Sequence, residues 1–99
     1  MKKFPYLLRP AIDQAFMAAA GPHERGVVEE HWQYLLELDR QGRLVVAGRC
    51  FDGPFAIVVF EGEDEAAAQA VVDGDPSVAE GVQTAELYPF KVGLLRGGQ

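Results

Sequence analysis

The run Phe55–Glu61, almost continuously apolar, constrains this chain more than any other segment. It is rich in β-branched and aromatic residues and has the length of a strand. Side chains alternate across a strand, so Phe55, Ile57 and Val59 point one way and Ala56, Val58 and Phe60 the other. A strand apolar on both sides expects cover on both sides. The chain must therefore build a sheet around this segment and find something for each face.

The remaining elements follow from local chemistry. Phe4–Arg9 reads as a first strand, with Pro5 at its start, where a missing N–H is tolerated. Ala11 to Ala20, alanine-rich and bounded by Pro10 and Gly21-Pro22, reads as a connection with a short helical turn. A helix is expected from about Pro22 to Gln41, with Gly42 in the left-handed position after its last turn. Arg43–Arg49 is a second strand, and Asp52-Gly53-Pro54 is turn chemistry before the third. Asp64–Asp73 is a second helix, with acidic residues at the positive end of its dipole and Gly74 after its last turn. Asp75-Pro76-Ser77 opens a short helical turn, and Thr84 to about Leu95 is a last strand interrupted by Pro89.

The order β-α-β-β-α-β predicts an α+β, ferredoxin-like fold: a four-stranded antiparallel sheet with two helices on one face. With 99 residues the chain is read as one domain, 1–99. Two helices cover one sheet face and no more. The other face is expected to be buried by a second copy, in a two-fold homodimer.

Composition narrows the function classes. A net charge of -6 argues against nucleic acid and acidic membrane surfaces, both of which favour basic proteins. One cysteine cannot form an internal disulfide. Lys2 and Lys3 are followed by too short an apolar stretch for a signal peptide, and no run approaches membrane-spanning length. A cytoplasmic protein with no metal and no cofactor is the expectation. His23 and His31 lie two turns apart, too far for a helical two-histidine metal site, and Cys50 reads as an incidental thiol.

On a helical wheel, Val27, Trp32, Tyr34, Leu35 and Leu38 spread over one side of the first helix. His31 falls near the middle of that side, so an imidazole points inward. Burial lowers a histidine pKa and a carboxylate raises it, so such a group can be poised near neutrality. The carboxylate partner expected for it is Asp75. An Asp before Pro is also good N-cap chemistry, and one carboxylate has lone pairs enough for both roles. A core histidine satisfied by a structural partner is the plainer reading of the same pattern.

The segments His31-Trp32-Gln33-Tyr34-Leu35, Gly42 to Arg49, Asp75 to Val82 and Glu86 to Val92 together resemble the YciI-like, or YCII-related, family. The resemblance covers nearly the whole chain. It implies a ferredoxin-like fold that dimerises through the sheet face, as a dimeric α/β barrel similar to muconolactone isomerase. It also implies that the helix histidine and the aspartate of the Asp-Pro motif, here His31 and Asp75, form a catalytic dyad in a cleft. Most members have no established reaction, though a dehydrochlorinase of chlorinated-aromatic breakdown is one of them. Arg9 matches a subset of members, and the segment between Pro10 and Pro22 matches no pattern of the family.

The expected chemistry is general acid–base exchange on a small molecule, by elimination or isomerisation. Asp75 orients the imidazole, and Arg9 or Arg49 is placed to hold a substrate carboxylate. For Arg49 a solvated strand end is the favoured reading. Ser77 reads as a helix-start residue and not as a nucleophile. The alternative is a non-catalytic dimer that binds a small ligand or another protein, since fold does not imply function.

Overall fold

The computed structural model describes residues 2–10, 22–50 and 55–97. The order is β1 (Lys2–Pro10), α1 (Pro22–Arg40), β2 (Leu44–Arg49), β3 (Ala56–Gly62), α2 (Glu65–Asp73), α3 (Pro76–Ala79) and β4 (Gln83–Leu87). The expected Ala11–Ala20 connection and the Asp52-Gly53-Pro54 turn lie outside the described residues. The strands form one antiparallel sheet in the order β2-β3-β1-β4. This is the ferredoxin-like arrangement, with β3 and β1 in the middle.

Alternation along the two central strands builds the core. Phe4, Tyr6 and Leu8 of β1 and Val58 and Phe60 of β3 point to one face. There they pack with Leu35 and Leu38 of α1 and Ala68, Val71 and Val72 of α2. Tyr6 meets Phe60 edge to face, ring centres 5.8 Å apart. Such pairs add to the burial of the rings themselves.

The opposite face is open. It carries Leu7 of β1, Ile57 and Val59 of β3 and Val46 of β2, brought side by side by the pairing of Leu7 with Ile57 and of Val46 with Val59. Ile57 and Val46 are exposed. The double-sided apolar pattern of the third strand thus has helices on one side and no cover on the other within the described chain.

Several local expectations are revised. Pro5 is not at the start of β1 but well inside it, on a central strand, paired with Val59. The β1–β4 register puts it opposite Tyr88, one place past the end of β4, where its carbonyl accepts from Tyr88 N at 3.1 Å. Its missing N–H is on the same side, facing Tyr88 just past the last residue of β4. Pro89 lacks a donor too, and beyond the Tyr88–Pro5 bond only the bridge Lys3–Phe90 continues the pairing among the described residues. The last strand is correspondingly shorter than expected.

Gly42 does adopt the left-handed conformation, at φ +74. Arg43 N and Gly42 N donate back to Leu38 O and Asp39 O, the bonds that close a helix over such a glycine. Gly74 differs: it ends α2 in the right-handed region, at φ -82. Asp64 is the N-cap of α2 and not its first residue, accepting from Ala67 N at 2.8 Å.

Trp32 is 54 % exposed, against the expectation that it packs inward. The inward stripe of α1 is Val27, His31, Tyr34, Leu35 and Leu38, and at 100° per residue Trp32 falls about 115° from its centre.

Candidate functional site

His31 enters the protein on the inward stripe of α1, one turn after Val27 and one turn before Leu35, both buried. Asp75 stands at the junction of α2 and α3. The residue before a proline favours extended backbone, and Asp75 has φ -66 and ψ 122. That geometry aims its side chain back over the start of α3, where Oδ1 accepts from Ser77 N at 2.9 Å.

The two residues meet. His31 Nδ1 lies 2.9 Å from Asp75 Oδ1 and 2.8 Å from Oδ2. The cap and the histidine partner expected of Asp75 are thus both present on one carboxylate. Asp75 is 0 % exposed, while the His31 side chain keeps 15 % of its surface open.

Two further donors complete the site. The Tyr6 hydroxyl donates to Asp75 Oδ2 at 2.9 Å, and the Ser77 hydroxyl donates to Oδ1 at 2.9 Å. With Ser77 N and His31 Nδ1, these fill the lone-pair directions of an ionised carboxylate. Burial pushes the Asp75 carboxyl up, but the hydrogen bond and charge of His31, with the Ser77 N–H and hydroxyl, outweigh it and hold the group below its ordinary value. Burial, then the neighbouring Asp75 charge and the hydrogen bond to it, push the Tyr6 phenol far above its ordinary value, so Tyr6 remains a donor.

The tautomer follows from this network. An ionised carboxylate accepts only, so the imidazole nitrogen facing it carries a proton. Nε2 is then the nitrogen left to exchange one. Ser77 is placed against the other nitrogen: its Oγ is 3.5 Å from Nδ1, is buried, and gives its proton to Asp75. A serine nucleophile needs the base's free nitrogen. Ser77 serves the carboxylate instead.

Tyr34 fixes where Asp75 leaves α2. Its hydroxyl donates to Val71 O at 2.6 Å, at the end of that helix. Burial, then the Asp75 charge, raise its pKa.

Arg9 is not brought to the pair. It follows Leu8 on β1 and so turns to the opposite sheet face. There its Nε lies 3.3 Å from Glu86 Oε1 and its guanidinium 5.1 Å over the Phe55 ring. Arg49 is exposed at the end of β2, and His23 is exposed, 3.9 Å from Glu80. Cys50 is a free, half-buried thiol. Among the described residues no group of three or more His, Cys, Asp or Glu side chains could hold a metal, and no helix is long and apolar enough to cross a membrane. A groove of about 350 Å³ between Lys2, Phe4, Glu65, Pro89, Phe90 and Lys91 is lined by none of the residues around the pair.

Sequence reasoning missed Tyr6 and the second role of Ser77. The signal for Tyr6 was present: a phenol in an inward position between Phe4 and Leu8 needs a buried partner for its hydroxyl.

Known proteins agree with this architecture. The profile of the YCII-related domain matches residues 7–91. The 5-chloro-2-hydroxyhydroquinone dehydrochlorinase of Burkholderia phenoliruptrix, solved in complex with 2,5-dihydroxybenzoquinone, has a similar structure: TM-score 0.66 and 15% identity, over 91% of this chain and 95% of that one. A muconolactone isomerase is also similar, with TM-score 0.73 and 11% identity, over 98% of this chain and 97% of that one. At these identities the likeness is one of fold. No curated protein matches the sequence. With the profile matched from β1 past the end of β4, over most of its length, the chain belongs to the YCII-related domain family.

Proposed function

We propose that this protein is a homodimeric small-molecule enzyme of lyase or isomerase type, in which His31 Nε2 exchanges a proton with substrate and Asp75 holds the imidazole. The observation that carries the reading is the contrast within the pair: a carboxylate with no exposure, saturated by donors, against a histidine whose side chain keeps 15 % of its surface open. A structural ion pair needs no such opening, whereas a general base does.

The chemistry is balanced without further groups. Nε2 takes a proton from carbon or oxygen of the substrate, and Asp75 stabilises the imidazolium that forms. In an isomerisation the proton returns at another atom. In an elimination the leaving group departs with its bonding pair and the imidazolium later gives the proton to water. The names of the two structural neighbours, a dehydrochlorinase and an isomerase, denote reactions of these kinds. Arg9 turns to the opposite sheet face, against Glu86 and Phe55, so a part in binding substrate is proposed for it there and not at His31.

The dimer reading rests on that open face. Leu7, Val46, Ile57 and Val59 form an apolar strip over three strands, and a second copy of the same sheet is the simplest self-complementary cover.

The test is turnover of chlorinated hydroxyhydroquinones and of unsaturated lactones by wild type and by His31→Ala. Loss of turnover of 100-fold or more, on the order expected for a general base, with unchanged thermal unfolding supports the reading. Saturable binding of these compounds with the ligand recovered unchanged points instead to a non-catalytic binding module. A variant that loses stability and nothing else assigns the pair to holding α1 against α3.

A further inference from the structure

Among the described residues, Tyr6 is the one donor to Asp75 that comes from the sheet. Ser77 lies two residues from Asp75, on the same turn, and moves with it. His31 sits on α1 and is the group to be positioned. Tyr6 is 69 residues away on a central strand, fully buried, with its ring wedged against Phe60. It ties the carboxylate to the centre of the sheet.

The anchors divide the two oxygens between them. Ser77 holds Oδ1 and Tyr6 holds Oδ2, which fixes the plane of the carboxylate with both oxygens toward His31 Nδ1. Each extra donor also draws basicity out of a carboxylate. Without the phenol, Oδ2 has His31 alone, and the carboxylate can turn about its last side-chain bond.

We propose that Tyr6 is a positioning residue of this site: from β1 its hydroxyl holds Asp75 Oδ2 while Ser77 holds Oδ1, so that the carboxylate accepts the Nδ1 proton of His31 without taking it. The inference rests on the acid–base reading of the pair. It adds that the sheet, and not only the helices, sets the direction in which the histidine exchanges its proton.

The test compares wild type, Tyr6→Phe and Asp75→Asn by proton NMR of the imidazole N–H. Tyr6→Phe keeps the ring against Phe60 and removes one oxygen. The His31 Nδ1–H resonance is expected to move downfield and to exchange faster with water in Tyr6→Phe, and to vanish in Asp75→Asn. On any substrate that wild type turns over, kcat should fall roughly tenfold with KM unchanged, as misorientation of a general base predicts. An Nδ1–H resonance with the same shift and exchange rate in Tyr6→Phe overturns the proposal. Should Tyr6→Phe fail to fold, wild type carries the test: a slowly exchanging Tyr6 hydroxyl proton near neutral pH supports it, and absence of that proton overturns it. A wild type that turns over nothing removes the acid–base reading but leaves the NMR comparison standing. Undiminished kcat in Tyr6→Phe removes the positioning role alone.

Discussion

Tyr34 and Gly74 are fitted to each other: a Cβ on residue 74 would stand 2.9 Å from the Tyr34 hydroxyl oxygen and 3.3 Å from Ala70 O. With φ at -82, Gly74 does not need its left-handed freedom. It is a glycine because the Tyr34 hydroxyl passes over it to reach Val71 O. The contact matters to the site because residue 75 follows at once. Gly74→Ala should destabilise the fold by about 1–3 kcal/mol, the usual range for overpacking. Tyr34→Phe removes the clashing oxygen, so the double variant should lose less than the sum of the two single ones. Urea denaturation of the four proteins measures this, and strict additivity would show that the two residues do not interfere.

Acid should weaken the protein through Asp75. Its carboxyl is held below the ordinary value in the folded state, so the folded state favours the ionised form. The stability this contributes is fully present above the unfolded-state pKa, about 3.9. It is lost as pH falls through the folded value. Asp75→Asn should cost about 2–4 kcal/mol at neutral pH, since it leaves buried donors without their acceptor. It should also flatten the acid limb of stability against pH. A variant whose acid limb matches wild type would place the acid sensitivity elsewhere.

Alkali acts through Tyr6 with the opposite sign. Its phenol is raised by burial and by Asp75, so the folded state favours the neutral form. That contribution is complete below the unfolded-state pKa, about 10, and falls away as pH rises beyond it. In a spectrophotometric titration Tyr6 should ionise only as the protein unfolds. Tyr6→Phe should lessen the alkaline loss of stability, leaving the part due to Tyr34 and Tyr88, which are raised in the same direction.

The open sheet face gives a prediction about assembly. Ile57 is exposed and sits beside Leu7 in the register. If a second copy covers this strip, sedimentation should give twice the chain mass for wild type and the chain mass for Ile57→Glu, with each variant still folded. Wild type running as a monomer at high protein concentration would contradict the reading.

What the sequence revealed, and what it hid, follows the range of the interactions. Gly42 was legible because a helix end in the left-handed region is a local demand. Asp75 was legible because Asp-Pro fixes a cap within three residues. The His31 stripe was legible because its period is that of a helix. Trp32 was misplaced because the wheel gives a side of a helix but not the width of the sheet contact. Pro5 was misplaced because its tolerance depends on where β4 stops, more than eighty residues on. Tyr6 was missed as part of the site because its bond to Asp75 spans most of the chain. Arg9 was assigned toward the pair although strand alternation, already used for Phe55–Glu61, sends it to the other face.

The pair itself is tested most directly by nitrogen NMR of the His31 imidazole, with His23→Ala assigning the signals. With Nδ1 at 2.8 Å from an ionised Asp75, the neutral ring should carry its proton on Nδ1 and present a bare Nε2. In Asp75→Asn that preference should be lost. A wild-type ring protonated on Nε2, or a tautomer unmoved by Asp75→Asn, would contradict the account.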